Sequence, residues 1–552
     1  MNDLVNSNSK TNNIDVKHIC SELYGLEVTV KQLVGEQDLN FKVKDSASAE
    51  FVLKLSDPAE NFDLLKLQNK VLHFLDAGRT GAFSRLCTPR IIPSRQGRKI
   101  EKLNSGGREY LVRLLTYLPG KTIASVRPHS SQLMKELGEI LASIDLRISE
   151  MNIPSAADRD SVWDIRKGPE VISGHLQHIQ DNGRRSIVEK MLETFLPIVE
   201  SRQQRLRTGL IHNDANGYNI MVSSGAPGDL HISGLIDFGD LVNSWTVAEP
   251  AIAATYMMMD KNDPVDTACY IAAGYNSINP LTDDELAVFF PLACLRAGVS
   301  VCMSAYRRLS SPENEYLTIS EAPAWRLLEQ AAEIHPRLAE YRLRESCGKE
   351  PCPATSDLVP WLKNRAGDFA SPVPVDLQDP SQLILDLGVG STIWNYSPVA
   401  MPGEGKLEEK NRISGSPEDI TEKLLKSGRT HVIGCYNEAR LAYTGSRYQQ
   451  QADAVSERKN IHLGIDIFVP PGTPVYASLK GVVYSCRDNA GAQDYGPAVI
   501  LRHQADKGTE FFTLYGHLQR SFLKTLKACI EIDQVQQIGN VGDVNENGGW
   551  PT

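Results

Sequence analysis

Residues 212–221 read HNDANGYNIM, placing His212, Asp214 and Asn219 in the spacing H-x-D-x-x-x-x-N, and DFGD follows at 237–240. Either stretch alone is compatible with a polar loop. Together, in this order, they supply parts that phosphoryl transfer from a nucleotide requires. A carboxylate must orient the attacking hydroxyl and take its proton, hard oxygen ligands must hold Mg²⁺, and a cation must meet the α- and β-phosphates. Asp214 is the candidate base. Asn219 and Asp237 offer an amide and a carboxylate oxygen to the metal, and Lys54, inside FVLKL, offers the cation.

The surrounding pattern predicts a two-lobed scaffold for these residues. LEVTVKQLV and AEFVLKLS alternate as strands do, with GEQDLNFKV as a turn and a short strand between them. NFDLLKLQNKVLHFLDAG has helical spacing and a candidate cap at Gly78, and REYLVRLLTYLPG reads as a strand running into a turn. From 121 to 345 the chain is mostly helical in pattern, for example in SSQLMKELGEILASIDLRI and TDDELAVFFPLACLRAGVSVCMSAYRRL. The interruption at 209–245, where short apolar runs surround polar turns, carries the motifs. The expected plan is a flexible tail at 1–20, a β-rich lobe at 21–120 and a helical lobe at 121–345. A Pro-rich linker at 346–380, a mixed region at 381–440 without assignable elements, and a β domain at 441–552 follow.

HNDANGYN followed by IDFGD, behind a strand-borne lysine, resembles the aminoglycoside phosphotransferase and choline kinase-like branch of the protein-kinase-like fold. Within it, GEQDLNF…VLKLSDPAE and LIHNDANGYNIM look most similar to the hydroxylysine kinase-like group. The resemblance implies an α+β two-lobed fold, ATP and Mg²⁺ as cofactors, and Asp214 as catalytic base. It also implies Asn219 and Asp237 as magnesium ligands, and Lys54 with Asn40, Leu115 and Tyr117 around the nucleotide. His212 would support the loop, and LLTYLPG would border the adenine. Kinase-like folds usually pair the strand lysine with a helix glutamate. The helix here has Gln68 and Lys70 instead, with Glu60 just upstream as a substitute. The acceptor class implied is a small hydroxylated amine or amino acid. Trp245, Glu249 and Tyr218 lie near the motifs as candidate substrate contacts, and packing or capping roles explain them equally well.

A second constellation lies in NIHLGIDIFVPPGTPVYASLKGVV at 460–483, where His462 and Asp466 have an H-x-x-x-D spacing, and His517 ends FFTLYGHL. An imidazole and a carboxylate are good zinc ligands. These stretches resemble the lysostaphin-type zinc endopeptidase domain, an all-β, duplicated hybrid motif-like fold. By that match His462 and Asp466 bind Zn²⁺ and His517 assists catalysis. The family's third ligand comes from a later H-x-H, and no His follows His517. The expectation is therefore an inactive peptidase-like domain and a chain that is a fragment. Kinase-like and lysostaphin-like units together resemble the start of three-part bacterial proteins that end in a pyridoxal-phosphate, class III aminotransferase-like domain, which would be a missing partner.

Composition narrows the function classes. Across 552 residues the net charge is −10, which argues against nucleic acid or anionic membrane as the main partner. The polar start MNDLVNSNSKTNNIDVKHIC has no secretory pattern, and no run of eighteen apolar residues predicts a membrane span, so a cytoplasmic location is expected. The ten cysteines are scattered without a C-x-x-C, which predicts reduced thiols. The expected function is an ATP-dependent small-molecule kinase. The alternatives are a nucleotide-binding pseudokinase or scaffold, or a zinc endopeptidase if a longer chain supplies the missing His.

Overall fold

A computed structural model describes residues 14–33, 38–57, 62–77, 87–105, 107–151, 158–224, 230–310, 321–377, 379, 383–385, 387–388, 431–440, 460–491 and 494–549. The chain divides into two compact units, Met1–Pro351 and Cys352–Thr552.

Unit 1 starts with a short helix, α1 (Val16–Ile19), and then builds an antiparallel sheet. Its strands are β1 (Val28–Leu33), β2 (Leu39–Asp45), β3 (Glu50–Ser56), β4 (Ile91–Ile92), β5 (Glu101–Ser105) and β6 (Arg108–Thr116). The spatial order is β1-β2-β3-β6-β4, with β5 also on β6. Alternation along β2 and β3 puts Phe41, Val43, Leu53 and Leu55 on one face, where they pack with Val112 and Leu114 of β6. The same alternation directs Lys54 to the other face. Helix α2 (Phe62–Ala77) follows β3 and buries Leu64, Leu67, Val71 and Leu75. The proposed cap Gly78 and the substitute Glu60 lie outside the described residues.

The helical part of unit 1 contains α3 (Ser131–Ser149), α4 (Gly168–His175), α5 (Asn182–Glu200), α6 (Ala248–Met258), α7 (Pro264–Ile278), α8 (Asp283–Ser310), α9 (Glu321–Ala331) and α10 (Pro336–Ser346). Helices α3 and α7 come so close that a Cβ on Gly138 would lie 2.1 Å from the Ile271 carbonyl oxygen, and one on Gly274 1.9 Å from that of Lys135. Only glycine permits that approach. Helix α8 is long and apolar enough, by length and composition alone, to cross a membrane, yet its apolar window is 100% buried inside the unit. It is the central core helix, and α4, α5, α6, α9 and α10 pack around it.

Short strands interrupt the helices and hold the motifs: β7 (Lys121–Thr122), β8 (Thr208–Ile211), β9 (Ile220–Ser224), β10 (Leu230–Leu235) and β11 (Val242–Trp245). Strand β9 pairs with β10 and β7, and β8 pairs with β11, all antiparallel. The 212–219 loop thus leaves β8 and enters β9, and Asp237–Gly239 leaves β10.

In unit 2 the stretch expected to be a linker at 346–380 contains a helix, α11 (Thr355–Asn364), whose Trp361 ring lies 5.5 Å from that of Phe511. Further along, Val373 enters the unit's apolar core, and the Pro372 carbonyl accepts from the Tyr476 N–H at 2.8 Å. Pro-rich punctuation marks the irregular backbone here, and apolar burial keeps it packed. Apart from two short 3-10 turns, the remaining elements among the described residues are strands, the largest group being Gly481–Asn489, Gly496–Gln504, Glu510–Tyr515 and Glu531–Ile532 in one antiparallel sheet. Val483, Val499, Leu501, Leu518, Ile532 and Ile538 form its core. Most of the mixed region at 381–440 lies outside the described residues.

Candidate active site

The loop after β8 is held from beneath by buried groups. His212 is fully buried; its Nε2 donates to the Ile236 carbonyl at 3.0 Å, and its Nδ1 accepts from the Asp214 N–H at 3.3 Å. Those bonds assign a neutral imidazole, stacked edge-on to Phe238 at 4.7 Å. Asn213 takes a left-handed φ of 68°, which turns the chain sharply, and its N–H donates to Glu249 Oε2 at 2.8 Å. The result is a loop fixed against both β10 and α6.

Asp214 stands on this platform with both carboxylate oxygens engaged. Oδ2 accepts from Asn216 Nδ2 at 2.9 Å and from Asn219 Nδ2 at 2.8 Å, while Oδ1 faces Arg296 Nη2 at 3.3 Å. Burial pushes its pKa up to about 8, against the downward pull of Arg296 and with help from Asp240 and Asp237. A raised proton affinity strengthens the ionised form as a proton acceptor, and the Arg296 guanidinium favours that ionised form. Asn219 Nδ2 also donates to the Asp214 carbonyl at 2.9 Å, which leaves the amide's oxygen for another partner.

Asp237 is itself in the left-handed region, with φ 60°, immediately after β10. Its Oδ1 accepts from Lys54 Nζ at 3.1 Å, and Asp38 Oδ2 lies 3.4 Å from the same ammonium. Lys54 keeps its charge: burial pulls its pKa down, but Asp237 and Asp38 more than offset that and raise it. Lys54 in turn holds the Asp237 carboxyl below its ordinary value. Among the described residues, the carboxylate partners of Lys54 are thus aspartates from two loops rather than a helix glutamate. Helix residue Gln68 turns elsewhere, its Nε2 3.4 Å from the Gly239 carbonyl.

Asn40 is the cross-strand partner of Lys54 in the β2–β3 ladder. Its Oδ1, with Asp38 Oδ1, is buried with no hydrogen-bond partner among the described residues, which fits a surface awaiting a polar ligand. Gly35–Gln37 of the expected nucleotide loop lie outside the described residues. Leu115 sits in the ladder between β3 and β4. The Tyr117 N–H donates to the Glu50 carbonyl at 3.0 Å, and its ring lies under Lys42 Nζ at 3.7 Å. Within the stretch expected to border an adenine, the Tyr117 N–H is thus committed within the sheet.

Two expected substrate contacts are corrected. Trp245, at the end of β11, is part of the apolar core, and Glu249 is 1% exposed beneath the loop, holding Asn213. Neither presents a face to a small molecule; Tyr218 is exposed beside the loop. Arg296 was missed. Its signal was present: a lone cation in the apolar run FFPLACLRAGVSVC. Asp38 and the Arg159–Asp240 pair at 2.9 Å were missed as well.

The donor set fits Mg²⁺: a carboxylate and a side-chain amide oxygen, both hard ligands, beside an electropositive lysine. The second constellation fits zinc poorly. His462 Nε2 lies 3.6 Å from Asp466 Oδ1, but Arg440 Nη2 lies 2.7 Å from Asp466 Oδ2. His517 meets the Asn547 carbonyl through Nδ1 at 2.8 Å. Among the described residues no group of three or more His, Cys, Asp or Glu side chains is arranged to hold a metal, and a catalytic zinc site wants three. No hydrolytic step follows from these residues.

Comparison with known proteins agrees with this division. Residues 29–281 match the phosphotransferase enzyme family, and residues 460–550 match peptidase family M23. The chain is 31% identical over 344 residues to the hydroxylysine kinase of Mus musculus, covering 58% of this chain and 89% of that one. An uncharacterized metalloprotease of Haemophilus influenzae is 35% identical over 88 residues, which is 16% of this chain and 17% of its own length. The solved structure of a microcompartment-associated aminopropanol kinase aligns with 60% of this chain and 99% of its own, at 18% identity and a TM-score of 0.45. The chain belongs to the phosphotransferase enzyme family, as a small-molecule kinase with an alcohol group as acceptor, and carries an M23 peptidase-like domain behind the kinase unit.

Proposed function

We propose that unit 1 transfers the γ-phosphoryl group of ATP to the hydroxyl of a small amine or amino acid of the hydroxylysine or amino-alcohol class. The observation that carries this reading is the convergence of Asp214, Asn219, Asp237 and Lys54, held by bonds of 2.8 to 3.1 Å, from three separate parts of the chain. Asp214 accepts the proton of the acceptor hydroxyl as its oxygen attacks the γ-phosphorus, and the bond to the bridging oxygen of ADP breaks in line. Lys54, preformed on β3 against Asp237, meets the α- and β-phosphates. Asp237 and Asn219 Oδ1 are the residues that would hold Mg²⁺. That ion, when bound, neutralises charge on the β- and γ-phosphates. The acceptor class follows from the name of the mouse relative, a hydroxylysine kinase, at 31% identity.

The experiment is a panel of hydroxylated amines and amino acids, including 5-hydroxylysine, 1-amino-2-propanol, ethanolamine, choline and homoserine, with ATP and MgCl₂. ADP release and phosphorylated product are both measured. Transfer to a member of the panel supports the reading. No transfer and no ATP hydrolysis would favour a nucleotide-binding module without chemistry.

A further inference from the structure

Helix α8 carries one fully surrounded guanidinium in an apolar stretch, and Arg296 is only 2% exposed. A buried charge persists where hydrogen bonds and an opposite charge compensate it. Its Nε donates to the Tyr256 hydroxyl at 3.2 Å, Nη1 to the Trp163 carbonyl at 2.9 Å, and Nη2 to Asp214 Oδ1 at 3.3 Å. The guanidinium also lies over the Trp163 ring, 4.6 Å from its centroid. Of these partners, the Asp214 carboxylate alone carries negative charge.

We propose that Arg296 is a positioning residue for the transfer reaction, fixing the carboxylate plane of Asp214 from a helix 82 residues further along the chain. This rests on the reading of Asp214 as base. Oδ2 is tied by two asparagine amides and Oδ1 by the guanidinium, so rotation of the carboxylate breaks contacts on both oxygens. The asparagines belong to the loop itself and move with it. Arg296 belongs to the core, so it references the base to the rigid part of the unit. Its planar fork reaches three acceptors at once, a geometry an ammonium does not reproduce.

The test compares the full chain with Arg296→Met, Arg296→Lys and Asp214→Asn. The acceptor is whichever panel member the parent turns over fastest, and folding is followed by circular dichroism and thermal melting. Arg296→Met should lower kcat by roughly 10- to 100-fold, the scale of a misplaced catalytic group, with KM for ATP and acceptor within about twofold. Arg296→Lys should recover part of that loss. Parental kcat in folded Arg296→Met, even with a lower melting point, would overturn the proposal and leave a packing role. If Arg296→Met does not fold, Arg296→Lys decides: reduced kcat at unchanged KM supports the proposal, and parental kcat overturns it. Loss of activity in Asp214→Asn alone removes only this inference. Parental activity in Asp214→Asn, or no transfer by the parent to any acceptor, removes the reading beneath it.

Discussion

The Asp214→Asn substitution keeps the side chain's volume while removing its charge and its capacity to take a proton. Two effects follow and are measured separately. On the chemical step, loss of a general base costs about 10²–10⁴ in kcat, or roughly 2.7–5.4 kcal/mol of barrier. On stability, the substitution strips the buried Arg296 of its counter-charge. Hydrogen bonds between charged groups contribute about 1.5–3 kcal/mol. The 3.3 Å separation is long for such a bond and Asp214 is 20% exposed, so the lower part of that range applies, about 2 kcal/mol. For a unit of this size that is a fall of about 3 °C in melting temperature. A coupled ADP-release assay gives kcat, scanning fluorimetry gives the melting shift, and calorimetry with a non-hydrolysable nucleotide reports binding, which should be retained. Combining Asp214→Asn with Arg296→Met should cost less stability than the two single losses summed, because the second change removes the charge that the first leaves uncompensated. A folded Asp214→Asn protein with near-parental kcat would refute the assignment of Asp214 as base.

Asp237→Asn should raise the Mg²⁺ concentration for half-maximal activity, since a full charge is replaced by a dipole, with metal-free nucleotide binding little changed; equal Mg²⁺ dependence in variant and parent would count against a metal role. Metal analysis of the purified 552-residue chain should find zinc well below one equivalent, with no zinc-dependent cleavage of glycyl peptides; one tightly held equivalent with cleavage would contradict the geometry around His462 and Asp466. His503 in unit 2, bonded to the Lys480 carbonyl and the Thr513 hydroxyl, has its pKa lowered by burial from an ordinary 6.5. Below about pH 6.5 the unfolded chain binds a proton that the folded one refuses. Stability is therefore full above that pH and falls as pH drops towards the folded value. Urea melts between pH 7.5 and 5.5 should show a shallower decline for His503→Gln than for the parent, and identical declines would exclude His503 as a source.

The catalytic motifs were legible because their information is local. H-x-D-x-x-x-x-N places a base and an amide on one short loop. The alternation of FVLKL puts Lys54 on the face opposite Leu53 and Leu55, and the apolar periodicity of 283–310 marks a long core helix. The M23-like stretch was equally readable from HLGID and PPGTPVYA. Spacing alone did not reveal the orientation of Trp245 and Glu249. Nearness to a motif along the chain says nothing about which way a side chain points, and β11 and α6 turn both into the core. The linker reading at 346–380 contains the boundary between the two units, at 351/352, but not the packing beyond it, for a related reason. Proline and glycine report irregular backbone, whereas Val373 packs into a core formed by residues from 469 onward and the Trp361 ring meets Phe511, 150 positions away.

The partners of the charged groups were decided by tertiary structure. Lys54 meets Asp237 across 183 residues, and Asp214 meets Arg296 across 82. An ion pair forms between whichever opposite charges the packed core brings within a few ångströms, and the energy that brings them there is the burial of α8, β10 and the sheet, not any preference encoded near the charges themselves. The sequence could therefore single out Asp214, Asn219, Asp237 and Lys54 as a set. That Lys54 rests on aspartates from two loops, and that the base leans on a cation from the middle of the core helix, follows only from the folded packing.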